Sequence, residues 1–177
     1  MPPYARKTMQ TAGDVGAVTG PVKAAQSWIE AVQLGRYDTA WAMTDPRLRL
    51  VRAQAWIWNN RKDADIAACN RDELARALAE ERPDHPLWGD FAATELHQTT
   101  DVYGTFRPEN WGASSGPSAA GPDYALVLFA HLSGDPLIIS DRPPVFSLAF
   151  LMHAAGRGWA LASFSDVLPD PGWPPKL

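Results

Sequence analysis

A single cysteine, Cys69, is all the thiol chemistry that the 177 residues hold. It excludes a disulfide within the chain and favours a reducing compartment. Lys and Arg nowhere gather into a basic face, and the formal net charge is −4. Neutralising phosphates needs such a face, so nucleic acid is not an expected partner. No apolar run approaches the ~20 residues of a membrane span. The opening MPPYARKTMQTAGDVGAVTGP has no apolar stretch of the kind a secretory signal needs. A soluble, cytoplasmic protein without membrane contact is the expectation. Also missing are a Gly-rich phosphate loop, a Ser/His/Asp motif and zinc-ligand spacing. No cofactor and no metal are therefore expected.

What is present suits one globular domain. The chain is 46% hydrophobic and 20% charged, and at this length it can bury roughly two-thirds of its unfolded surface. Eight Trp suit either a generous core or an aromatic-lined cavity. Residues 1–20 lack periodicity and read as a loose tail.

Four helices are expected next. In GPVKAAQSWIEAVQLG, Val22, Ala25, Ile29 and Val32 recur at helical spacing, with Pro21 in the first turn and Gly35 placed as a C-terminal cap. RYDTAWAMTDP is a short second helix closed by Pro46. PRLRLVRAQAWIWNNR carries Leu48, Val51, Ala55 and Trp58 on one stripe, leaving Arg47, Arg49, Arg52, Arg61 and Lys62 as a solvated face. In NRDELARALAEERP, Asn70 and Glu73 have capping-box spacing, and Pro83 stops the helix.

The texture then changes. Residues 91–103, 124–132, 145–153 and 159–165 read as strands, and RPENWGASSGPSAAGP (107–122) reads as a mobile loop. Helices first and strands afterwards indicate an α+β layout, with N-terminal helices packed on an antiparallel sheet.

The helix–Gly–helix opening AAQSWIEAVQLGRYDTAWAM, the strand run and a hairpin ending in GRGWALASFSD resemble the nuclear transport factor 2-like superfamily. The resemblance covers residues 22–166 as an order of elements, and LGRYDTAW is its sharpest piece. It implies a cone, in which a curved sheet wraps helices and often leaves a pocket. The superfamily includes ketosteroid isomerases, polyketide cyclases, dehydratases and epoxide hydrolases beside non-catalytic binding and assembly domains, so the likeness leaves function open. No catalytic residue of those enzymes carries over position by position. The implied division is a tail at 1–20, a domain at 21–166 and a Pro-rich C-terminal tail at 167–177.

Strand register sets which residues look inward. A two-residue turn at Gly156-Arg157 makes Ala155 face Gly158. One face of the hairpin then carries Phe146, Leu148, Phe150, Met152, Trp159, Leu161, Ser163 and Ser165. The opposite face carries His153 and Phe164. If Leu132 faces Val145 across SGDPLIISDRPP, His131 shares the inward face with Val127 and Phe129, and His153 lies opposite Tyr124. Seven residues of strand at ~3.3 Å each part these two histidines by about 20 Å, too far to share a metal.

In TELHQTTDVYG (94–104), Glu95, His97 and Asp101 share one strand parity. They are either an acid–base set or a solvated sheet face. His131 has apolar neighbours and is either a satisfied core residue or a pocket group for proton transfer. The candidate catalytic residues are therefore His131, with His97 and Asp101 as a secondary pair. Tyr37, Trp41, Trp56, Phe129, Phe146 and Phe150 are the candidate pocket lining. Two readings stand. In one, the domain holds a small hydrophobic molecule in an apolar pocket, as an isomerase, cyclase or dehydratase would. In the other, it is a non-catalytic, self-filled domain that forms a homodimer or binds another protein.

Overall fold

A computed structural model describes residues 20–132, 147–156 and 158–177. Residues 1–19 of the expected tail at 1–20, the linker 133–144, Val145, Phe146 and Arg157 lie outside the described residues. Pro21 opens α1 (Pro21–Gln33), which buries Ala25, Trp28, Ile29 and Val32. Its end follows from one glycine. Gly35 has φ +68, Gly35 N–H donates to Val32 and Arg36 N–H donates to Ala31. This is a Schellman closure, whose left-handed residue a side chain would strain.

α2 (Tyr37–Ala42) follows at once and buries Tyr37 and Trp41. Asp45 then caps α3 (Pro46–Asn59), its carboxylate accepting the Arg47 amide at 2.8 Å. The buried side of α3 is Leu48, Arg49, Val51, Ala53, Gln54, Trp56 and Ile57. The expected stripe is therefore rotated, and the arginines are not a uniformly solvated face. A one-turn helix α4 (Ala64–Ala67) precedes α5 (Arg71–Leu78), where the Asn70 side chain accepts the amides of Asp72 and Glu73.

The expected strand at 91–103 is a helix, α6 (Trp88–Tyr103). Its buried residues Phe91, Glu95, Thr99 and Tyr103 recur every fourth position. Such a stripe fits one helix face and also keeps one strand parity. The expected loop at 107–122 instead holds a 3₁₀ turn, Pro108–Asn110, and strand β1 (Trp111–Ser118).

β1 joins β2 (Gly121–His131), β3 (Ser147–Ala155) and β4 (Gly158–Ser163) in a curved antiparallel sheet of order β1-β2-β3-β4. The α+β layout is as expected. Tyr124 pairs with His153, Val127 with Phe150 and Phe129 with Leu148, as the register argument required. The last hairpin keeps the expected pairs from Ala155–Gly158 to Met152–Leu161. Beyond them Leu151 faces Ser163, so Ala162 is an extra residue. That bulge reverses parity. Phe164, expected outside, packs on Trp28 (ring centroids 5.3 Å apart), Tyr103 and Phe150.

The sheet's inner face (Val127, Phe129, Leu148, Phe150, Met152 and Leu161) meets α1 and α3 in one core. A parallel bridge between Thr44 and Leu161 ties the α2–α3 corner to β4. The C-terminal segment lies over α3 and α5. Arg47 donates to the Pro169 carbonyl, Gly172 N–H to Gln54, and the Trp173 ring N–H to Asp72 at 2.7 Å.

Candidate functional site

The α6 stripe carries one carboxylate into the interior. Glu95 is 4% exposed, and a buried charge persists only where it is paired. Here α3 supplies the pairing. Both Nε and a terminal nitrogen of Arg52 lie 2.5 Å from Glu95 Oε2, and the Tyr37 hydroxyl donates to the same oxygen at 3.3 Å. No donor among the described residues reaches Oε1. Three donors thus fix one carboxylate oxygen and leave the other able to exchange a proton.

Burial raises the Glu95 carboxyl above the usual range, and Arg52 and Tyr37 oppose it. Burial also lifts the Tyr37 hydroxyl well above its ordinary value, with Glu95 adding to it. Arg52 would be lowered by burial alone, but Glu95 and its neighbours outweigh that and raise it. Burial and charge pairing thus act against each other on Glu95, and burial is the larger of the two.

Two spaces adjoin this trio. On the inner side, the volume left among Trp28, Tyr37, Trp41, Leu48, Thr99 and Phe164 is about 10 Å³, room for one water at most. On the outer side, a cleft of about 270 Å³ opens between α3 and α6. Arg52, Trp56, Asn59, Asn60, Thr94, Glu95 and Gln98 line it, and Leu177 of the C-terminal segment closes one side.

The described candidate pocket aromatics, Tyr37, Trp41, Trp56, Phe129 and Phe150, are buried in the core. Trp41 stands edge-on to Phe91 at 5.2 Å, Trp56 to Phe91 at 5.6 Å, and Phe129 to Phe150 at 5.6 Å. Tyr37 stacks against Trp88. Of the described members of the expected lining, Tyr37 belongs to the polar trio, Trp41 borders its inner space and Trp56 lines its outer cleft.

The candidate catalytic residues are dispersed. His97 and Asp101 sit one turn apart on the outer side of α6, 3.9 Å from each other, with side chains 79% and 53% exposed. Glu95 points the other way, because a helix separates residues that a strand would align. His131 keeps parity with Val127 and Phe129 on β2, half-buried and edge-on to Trp111 at 5.0 Å. No element brings it to Glu95. His153 is an anchored imidazole: Nδ1 lies 2.7 Å from Asp45 Oδ2, and Tyr124 stacks on its face at 4.5 Å.

Arg52, Asp45 and His153 were not among the candidates, and Glu95 was weighed only as a neighbour of His97. The signal for Glu95 was present in the sequence, a carboxylate on a four-residue stripe with Phe91 and Tyr103, whereas nothing local marked Arg52. The Asp45 signal was the Asp-Pro pair that opens a helix.

Among the described residues, no helix is long and apolar enough to cross a membrane, and no three His, Cys, Asp or Glu side chains gather as a metal set. No protein-family model, curated protein or solved structure matches the chain at a significant level.

Proposed function

We propose that the chain is a small-molecule-binding domain whose ligand occupies the polar cleft between α3 and α6, with Glu95 as its proton-exchanging group. One observation carries this reading. Three donors converge on Glu95 Oε2, and the carboxyl they hold adjoins a cleft lined by side-chain amides. A fixed carboxyl with a raised proton affinity can take a proton from a carbon or oxygen acid and return it elsewhere, which is acid–base catalysis of the isomerase, cyclase or dehydratase kind. The ligand is then small and polar, not the hydrophobic molecule expected from composition, because the aromatic interior is filled by the protein's own rings. The layout is assigned to the nuclear transport factor 2-like cone, on the order of elements and the LGRYDTAW turn.

The test is a melting-temperature screen of small hydroxy acids, polyols and lactones. A ligand at 100 times its Kd adds about 2.7 kcal/mol, which is several degrees for a domain of this size. Compounds that stabilise the wild type should lose that effect in an Asn59→Leu/Gln98→Leu variant, whose changes lie on exposed chain. If none stabilises the wild type, or the effect survives in the variant, the cleft is not the site.

A second reading is favoured by the filled interior. A self-packed cytoplasmic domain would act through its outer sheet face, where Leu128 is 41% exposed beside Leu126 and Ala130, as a homodimer or with another protein. Concentration-dependent sedimentation with a Leu128→Glu control separates it from the first.

A further inference from the structure

A second recess, distinct from the Glu95 cleft, lies where the C-terminal segment crosses the end of α3. Its volume is about 320 Å³, at the lower end of the roughly 300–1,000 Å³ that hold small ligands. Ile57 and Ile66, both buried, form an apolar floor. Trp58 and Trp173 are half-buried walls. Each wall carries a guanidinium: Arg61 lies over Trp58 at 4.7 Å, and Arg71 over Trp173 at 4.9 Å. Both arginines line the recess, no carboxylate does, and among the described residues neither guanidinium has an ion-pair partner. Asp72 accepts the Trp173 ring N–H and Asp63 the first amides of α4, and neither lines the recess; Arg61 donates one N–H to the Trp58 carbonyl and keeps its other donors for a ligand.

We propose that this recess binds a small organic anion with a flat apolar body, such as an aromatic carboxylate. The body would slide between the two indoles over Ile57 and Ile66, burying apolar area that the chain leaves wet. Its carboxylate would lie between Arg61 and Arg71, whose planar donors match that group and which are positioned before binding by their own indoles. A neutral ligand of the same shape leaves both cations unused, and a cation is repelled. The C-terminal segment is part of the site because Trp173 is one wall.

Cys69 also lines the recess and is the chain's one cysteine, so it reports occupancy without ambiguity. The experiment follows its alkylation by N-ethylmaleimide, a neutral reagent, in the full chain by mass spectrometry. The probes are 2-naphthoate and its neutral counterpart 2-naphthalenemethanol. Naphthoate should slow alkylation in a saturable way, with about tenfold lower half-protection concentration than the alcohol, a ratio expected of charge-assisted hydrogen bonds at a half-exposed site. Arg61→Gln and Arg71→Gln, both on exposed chain, should each narrow that ratio, and the double variant should abolish it. Salt should weaken naphthoate and leave the alcohol unchanged. Equal protection by the two probes, an unaltered ratio in the double variant, or no protection by naphthoate at millimolar concentration would each overturn the proposal.

Discussion

Glu95 is one side chain on which the interior's electrostatics turn. Burial raises its folded proton affinity above the unfolded value. The folded state therefore holds the proton more tightly, and stability from this group is fully present below the unfolded carboxylate pKa. It is lost as pH rises through the folded value. Urea unfolding between pH 4 and 7 should show the wild type losing stability relative to Glu95→Gln over that window. Arg52→Ala strips away the main opposing charge, so the loss should steepen, and at neutral pH an uncompensated buried carboxylate should cost about 3–5 kcal/mol. Parallel pH profiles for wild type and Glu95→Gln would sink this account. The sequence showed Glu95 but grouped it wrongly. Under a two-residue period its partners are His97 and Asp101, whereas under a 3.6-residue period they are Phe91, Thr99 and Tyr103. Arg52 was harder to find, since nothing local distinguishes an arginine that faces water from one that faces a carboxylate 43 positions away.

At the scale of elements, the helix corner is where local chemistry speaks most clearly. Gly35 stands at φ +68 with open space where a Cβ would sit, so the penalty of substitution there is conformational and not steric crowding. Gly35→Val should cost about 1 kcal/mol or more, and Gly35→Asn much less, because Asn tolerates the left-handed region. Equal melting temperatures for glycine and valine would contradict the Schellman assignment. The same locality explains which elements were legible. Pro21, Pro46, Asn70 and Gly156 mark boundaries through their own backbone preferences, and those boundaries stand close to where the residues placed them. α6 was misread because its four-residue stripe keeps strand parity, although thirteen unbroken residues with Ala92, Ala93, Leu96 and Gln98 suit a helix better. β1 was misread for the opposite reason. Gly112, Gly116, Pro117 and its serines disfavour strand, and only pairing with β2 overrides them. The Ala162 bulge leaves no trace in composition, yet it decides that Phe164 belongs to the core.

For the whole molecule, the C-terminal segment binds distant parts together. Pro169 is buried, and the segment reaches α3 through Arg47 and Gln54 and α5 through Asp72. Deleting residues 167–177 removes these three hydrogen bonds and the Trp173 contact, each bond being worth about 0.5–1.5 kcal/mol. The truncated chain should melt several degrees lower and lose the protection of Cys69 by naphthoate together with one wall of its recess. An unchanged melting temperature would mean that the segment rests on the body without stabilising it. The Pro-rich composition showed that this stretch cannot be a central strand. The positions of its partners on α3 and α5 follow only from the three-dimensional packing.

The two outer strands of the sheet are guarded in different ways. β4 is engaged at Leu161, whose N–H goes to the Met43 carbonyl and whose C=O takes the Asp45 amide. A second chain cannot lie along it there without first displacing the α2–α3 corner. β1, an edge among the described residues, owes its protection to composition. Pro117 has no amide hydrogen to offer, and Ser114, Ser115 and Gly116 are exposed and present no apolar surface to a neighbour. A strand of this kind makes a poor template for sheet-to-sheet growth. The residues that hid β1 from a reading of the sequence are thus the ones that disfavour the docking of another strand along that edge.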